Sequence, residues 1–350
     1  MTSRSEFGQD TKASEVADVF ASQIKGRVVA ITGIAKDGLG GATASAIAKH
    51  GPALLILISR TQSKIDEVIA EIKAINPHAN VKSVLVDLLS QASVRSAADE
   101  VKNLTTRIDL LINNAGFTIF KRKWSPEGIE AHLAGNHLGP FLLTNLLMDR
   151  LLAAAEASPR GTTRVINLSS MTHVISPFRF HDYNIESKPV PPEEDLQADG
   201  WPKEIVQATQ DGYMGFPAYA QSKTANILFT IELNRRFSDK GLVSYSVHPG
   251  VVGSTGFNRD MDPALLEASA EMMKYIHIKP SNDEGASTTM VAALDPALNG
   301  SWASILTSYT EPKGIYLSDC QFADPAPHAS NAEYAKKVWA LSEELVKQTF

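Results

Sequence analysis

The chain has a single cysteine, Cys320, among its 350 residues. One thiol cannot form an internal disulfide, so no cross-linked framework holds the fold, and a reducing compartment is implied. Basic residues are not in excess. Lys and Arg number 33 against 39 Asp and Glu, a formal net charge of −6, which speaks against a nucleic-acid surface. Long apolar runs are missing too. The longest, Pro52 to Ile58, is too short to cross a bilayer. Met1 to Asp10 is polar and holds no signal-peptide core, and Gln348-Thr349-Phe350 is not a peroxisomal tripeptide. Internal repeats and low-complexity tracts are lacking. There is no G-x-S-x-G hydrolase elbow, and His173 and His181 have no partners at metal-ligand spacing. The expectation is a cytoplasmic protein with no membrane span, no metal and no nucleic-acid partner.

What is present is a rhythm. Apolar β-rich runs at Val28–Thr32, Ala53–Ser59, Val81–Asp87, Ile108–Asn113, Thr163–Ser169 and Leu242–His248 alternate with helical patterns. The helical stretches run over 42–50, 63–75, 91–103, 127–155 and 217–239. Continuous apolar strands between helices predict one doubly wound parallel α/β sheet covered on both faces. Residues 1–25 read as a lead-in, with Val16, Val19, Phe20 and Ile24 at helical spacing. Residues 26–350 then form a single domain. The segment 174–216, rich in proline, aromatics and acids, breaks the rhythm and predicts an insertion. Residues 255–350 carry further helices, a short strand near Gly314–Leu317 and a final helix from Asn331.

Two motifs carry chemistry. Thr32-Gly33-Ile34-Ala35-Lys36-Asp37-Gly38-Leu39-Gly40 follows a strand and opens a helix. Glycines there let backbone approach a pyrophosphate, and the helix N-terminus presents free N–H groups. Gly33, Lys36, Gly38 and Leu39 are its candidate contacts. The next strand ends Ser59-Arg60 rather than in a carboxylate; Arg60 with Lys36 suits a 2′-phosphate, which favours NADP(H) over NAD. Asp87 and Asn114 end the third and fourth strands, at adenine and adenine-ribose positions. The second motif is Tyr219-Ala220-Gln221-Ser222-Lys223. Spacing of i,i+4 places phenol and ammonium on one helix face. An ammonium favours the phenolate, so the pair reads as a general acid/base.

With Asn113-Asn114-Ala115-Gly116, Asn136, Ser170 and Pro249-Gly250 in the same order, the chain resembles the short-chain dehydrogenase/reductase family over roughly residues 25–346. It is most similar to the retinol-dehydrogenase and WW-domain-oxidoreductase branch, through Asn136-His137-Leu138-Gly139, the stretch from Tyr219 to Leu233, Val247-His248-Pro249-Gly250 and Tyr316-Leu317-Ser318-Asp319-Cys320. The lead-in Ser14 to Asp18 looks like that of soluble fungal members. The resemblance implies an NADP(H)-dependent oxidoreductase that interconverts a ketone or aldehyde and an alcohol, on a lipophilic small molecule, with secondary metabolism as a family tendency. It implies that Tyr219 moves the proton, Lys223 assists it and bonds the nicotinamide ribose, and Ser170 polarises the carbonyl. Asn136 is implied to hold a water in the proton relay, Asn114 to contact the cofactor ribose, and Val252 and Ser254 (or Thr255) to meet the nicotinamide side. A slow cofactor-binding scaffold or redox sensor is the alternative.

Two departures from the family pattern stand out. Gly38 comes one residue late in the glycine turn. Ser170 and Tyr219 are 49 positions apart (219 − 170), longer than is usual. The intervening 174–216 segment is expected either to form a lid over substrate, lined by Phe178, Phe180, Trp201 and Tyr213, or to pack only its own core. An insert here favours a monomer over the family's homodimer. Of the other candidates, His173 and Asp182 are loop or pocket residues that could touch substrate. His181 is a loop residue, Met272-Met273 packing, Cys320 structural, and Lys121-Arg122-Lys123 a solvated basic run.

Overall fold

A computed structural model describes residues 2–253, 261, 263–299 and 314–350. β1 (Val28–Thr32), β2 (Leu54–Ser59), β3 (Val81–Leu85), β4 (Leu110–Asn113), β5 (Thr163–Leu168) and β6 (Leu242–His248) pair in parallel. β1, β4 and β5 are buried along their whole length; strands covered on both faces have no polar side to alternate with. β7 (Val251–Val252) and β8 (Ile278–Lys279) pair with each other outside this sheet. β9 (Tyr316–Ser318) joins β6 in parallel, and β10 (Gln321–Phe322) closes that edge antiparallel. The order β10-β9-β6-β5-β4-β1-β2-β3 reverses direction between β1 and β4, and that reversal opens the ligand crevice at the carboxyl ends of the strands. The architecture is the doubly wound α/β sheet that the alternation implies.

On one face lie α1 (Ala13–Val19), α2 (Leu39–Ala48) and α10 (Asn282–Leu294). On the other lie α4 (Gln91–Leu104), α5 (Gly139–Leu146), α8 (Gly215–Phe237) and the C-terminal helix Ala332–Val346. α3 (Gln62–Ile75), α6 (Met148–Glu156), α7 (Lys203–Val206) and α9 (Pro263–Met273) complete the set used below. The segment leading into α1, with the first turn of that helix, straps the far half of the chain. Thr2 Oγ1 bonds Gln321 Oε1 at 2.6 Å, Ser3 N–H donates to Asp295, Lys279 Nζ donates to the Gln9 carbonyl at 2.8 Å, and Ser14 holds Asp283.

The stretch 127–155 departs from the single helix expected of it. It consists of a π-helical turn (Leu133–Leu138), then α5, then α6, with the two halves bent by 55° at Leu147. Pro140 explains the first break. It has no N–H to give the Asn136 carbonyl, so regular helix cannot run through it. β9 falls where a short strand was expected, near Gly314–Leu317, but β10 is an addition. Asp319 and Cys320 take positive φ, 48° and 65°, and turn the chain into β10, although neither is the glycine or asparagine such a turn favours. Among the described residues, no single helix is long and apolar enough to cross a membrane.

Candidate active site

β1 delivers the glycine turn to the crevice. Gly33 has φ 79°, and a Cβ there would sit 2.6 Å from Ala115 Cα, so only glycine lets the β1 and β4 exits close on each other. Asn114 Nδ2 ties the same two segments, donating to the Thr32 carbonyl at 2.8 Å and the Gly33 carbonyl at 3.1 Å. The late Gly38 is the cap of α2 in extended conformation, with no side-chain bond to the helix start. The steric demand has moved on to Gly41, whose Cβ would come 2.3 Å from the Ala35 carbonyl oxygen.

Leu39 and Val252 meet at this point. A Cβ on Gly285 of α10 would strike both, at 2.5 and 2.6 Å. The other cofactor candidates are spread along the crevice. Lys36 Nζ pairs with Glu71 at 2.8 Å. Arg60 is exposed just past β2. Asp87 Oδ1 accepts from the Leu89 N–H at 3.1 Å, inside its own turn. Ser254 and Thr255 lie outside the described residues.

The four candidate catalytic residues converge from three elements. Ser170 ends the β5 exit and caps the following turn, its Oγ accepting from the Thr172 N–H at 3.2 Å. Tyr219 and Lys223 lie on α8, with Lys223 Nζ 5.5 Å from the centre of the Tyr219 ring. Ser170 hydrogen-bonds the phenol. Lys223 Nζ donates to the Leu168 carbonyl at 3.1 Å, which also accepts from Asn226 at 2.9 Å. Asn136, in the π-helical turn, holds the Phe117 backbone from both ends of its amide at 3.0 Å and donates to Ser222 at 3.1 Å.

Burial dominates the electrostatics. It pushes the Tyr219 phenol up to about 12, with the Ser170 hydrogen bond acting the other way, and brings the Lys223 ammonium down to about 8. The expected net lowering of the phenol by its lysine is thus absent from this state.

Other sequence candidates take structural roles. His173 Nδ1 donates to the Ser170 carbonyl at 2.7 Å and Nε2 accepts from the Ala326 N–H at 3.0 Å. With both ring nitrogens engaged, it braces Ser170 rather than reaching into the crevice. Asp182 is buried against Arg179, and His181 pairs with Glu194 at 2.8 Å. Cys320 is buried beside Ser287 and Thr288, and burial raises its thiol.

The four aromatics expected to line a lid, Phe178, Phe180, Trp201 and Tyr213, do not act together. Phe178 and Phe180 pack into the main core, Phe180 against Tyr334 of the C-terminal helix at 5.8 Å. Trp201 joins Phe120, Ile175, Ile205, Phe216, Ala220, Met261 and Leu265 in a separate apolar cluster, to which α8 gives Phe216 and Ala220. Tyr213 goes elsewhere, to a buried polar group that the sequence did not announce. Its hydroxyl donates to Glu130 at 2.7 Å, and Glu130 holds His132 Nδ1 at 2.9 Å. Glu130 and Tyr213 are 83 positions apart, and no local pattern links them.

A family model described as short chain dehydrogenase matches residues 27–184. "Oxidoreductase fscI" of Fusarium equiseti is 37% identical over 246 residues, 70% of this chain and 94% of that protein. "Retinol dehydrogenase 12" of Bos taurus is 34% identical over 325 residues, 93% of this chain and 87% of its own. Among solved structures, a protein of Mycobacterium paratuberculosis superposes with a TM-score of 0.62 at 28% identity, covering 93% of this chain and 96% of the other.

Proposed function

Because the chain belongs to the short-chain dehydrogenase/reductase family, in its retinol-dehydrogenase branch, and so to oxidoreductases working between alcohols and carbonyls, we propose that it interconverts a ketone or aldehyde and an alcohol on a lipophilic small molecule, with NADP(H) as cofactor. One observation carries this reading: a serine hydroxyl and a buried phenol joined by a hydrogen bond, with an ammonium 5.5 Å from the ring.

The crevice fits a dinucleotide. The α2 N-terminus has no side-chain cap, so its first N–H groups suit a pyrophosphate. Arg60 makes no ion pair among the described residues, whereas Lys36 is held by Glu71. Arg60 is therefore the cation we assign to a 2′-phosphate. When bound, the nicotinamide supplies or takes up the hydride.

The chain's own residues handle the proton. The Tyr219 hydroxyl gives its proton to the carbonyl oxygen, and Ser170 donates a hydrogen bond to the same oxygen. Preorganised donors of this kind contribute roughly 3–4 kcal/mol each. Lys223 stabilises the phenolate left behind; with burial bringing it to about 8, it is charged at neutral pH yet able to pass a proton on. A Cβ at Gly116 would lie 3.1 Å from Lys223 Nζ and 3.8 Å from Asn136 Oδ1. The space the three share is where we route the proton to solvent. Trp201, Phe216, Ile175 and Phe120 pack together, with Phe216 and Ala220 of the cluster on α8, the helix that carries Tyr219; this apolar grouping supports an apolar substrate under the insertion.

A monomer is the assembly we favour. The C-terminal helix lies along α8, with Trp339 5.8 Å from Phe229 and the Arg236 guanidinium 4.1 Å over the Trp339 ring. We assign the protein to the cytosol, where its buried lone thiol stays reduced.

The test is turnover of a carbonyl panel by purified protein with NADPH and with NADH. Reduction of apolar ketones or aldehydes with NADPH is expected. Tyr219→Phe should lose nearly all turnover while still binding NADPH, and retained turnover would contradict the assignment. Arg60→Asp should reduce the preference for NADPH by about tenfold to a hundredfold, the worth of one charged hydrogen bond.

A further inference from the structure

Three buried side chains, Tyr213, Glu130 and His132, link the insertion to the catalytic phenol. Glu130 is fully buried and accepts from the His132 N–H at 3.0 Å, the Leu133 N–H at 2.9 Å, the His132 ring and the Tyr213 hydroxyl. Burial opposes its charge, but His132 and the backbone donors outweigh burial, and the net direction is down. His132 Nε2 accepts from the Ile119 N–H at 2.9 Å. That nitrogen must carry a lone pair, so the ring proton sits on Nδ1 and points at Glu130. One tautomer is thereby fixed from both ends. The imidazole so held stacks on Phe117, centroids 5.7 Å apart, and meets the Tyr219 ring edge-on at 5.8 Å and 73°.

From this geometry we propose that His132 is a positioning residue for Tyr219, and that Tyr213 of the insertion sets His132, both through Glu130 and through its own hydroxyl, 3.1 Å from His132 Nδ1. The imidazole forms one wall of the slot in which the phenol ring lies. If its tilt changes, the phenol swings away from Ser170, and Phe117, whose backbone Asn136 holds, moves with it. The insertion therefore completes the slot from behind as well as bordering the substrate. The hydroxyl of Tyr213 is the contact that does so, and burial with Glu130 keeps that phenol protonated as a donor. This rests on the oxidoreductase reading only for its kinetic consequence; the linkage itself is independent of that reading.

The experiment compares wild type, Tyr213→Phe, His132→Phe and the double variant by two readouts. The first is steady-state carbonyl reduction with NADPH. Tyr213→Phe is expected to lower kcat roughly tenfold with little change in KM, the loss that follows a small misplacement of a reacting group. On the His132→Phe background the same change should matter by less than about twofold, because both act through one ring. The second readout is amide hydrogen exchange at Ile119, expected to quicken roughly tenfold in Tyr213→Phe. Equal effects of Tyr213→Phe in both backgrounds would overturn the proposal, as would a kcat within about twofold of wild type. An unchanged Ile119 amide would overturn it whether or not turnover is found. Absence of turnover in wild type would remove the proposed activity and leave the exchange result to decide the linkage.

Discussion

At the scale of single residues the site sets stability against chemistry. Lys223 is buried, and moving its titration from 10.5 to about 8 costs about 3 kcal/mol at neutral pH, where the folded protein holds a charge it would prefer not to. The native value lies below the unfolded one, so the penalty is complete below pH 8, shrinks from pH 8 to 10.5 and is gone above. Lys223→Met should therefore raise unfolding free energy at pH 7 by about 3 kcal/mol while removing turnover. Denaturant titrations at pH 7 and pH 11 check this, and the gain should vanish at the higher pH. The Leu168 carbonyl keeps its bond from Asn226 in the variant, so no buried acceptor is left bare. Residue-level legibility divides along the same line. Tyr219 and Lys223 announce themselves because i,i+4 spacing is local. The Glu130–His132–Tyr213 group does not, since its members meet only after the insertion has packed. The depth of burial that lifts Tyr219 is equally a tertiary property.

Among the elements, β1, β2 and β4 were readable because strands covered on both faces are almost wholly apolar; β3, at the sheet edge, carries Lys82 and Ser83 and is half exposed. The helices beside them were less so. Glu127 to Ala155 is apolar enough to read as one rod, yet Pro140 withholds an N–H and a second break falls at Leu147. That interruption bears on the site, since the π-helical turn is what carries Asn136 towards Phe117. The insertion was visible as a break in rhythm, but not the parting of its aromatics between the main core, the apolar cluster and the polar link. Trp201, packed 6.3 Å from Phe216, is the member we propose to touch substrate. Trp201→Ala should raise KM for a bulky apolar carbonyl by about tenfold and leave a two- or three-carbon carbonyl unaffected. A loss of thermal stability with both KM values unchanged would instead mean that this aromatic only holds the insertion together.

For the whole molecule, the doubly wound architecture followed from the alternation and right-handed crossovers, and the short strand expected near Gly314–Leu317 is β9; β10, two residues long, did not stand out. The C-terminal helix bears on assembly. It covers a face of α8, which is the basis of the monomer we propose. Light scattering should return a mass near 37.8 kDa, and twice that value would show that another surface pairs. The strap at the other end has its own consequence. Residues 2–14 are held by Gln321, Asp295, Lys279 and Asp283, all of which leave the ribosome some 270 or more positions later (283 − 14 = 269; 321 − 2 = 319). During synthesis the nucleotide-binding half can condense early, with α1 on α2, but residues 2–14 must wait for these four partners until the last third of the polypeptide has arrived.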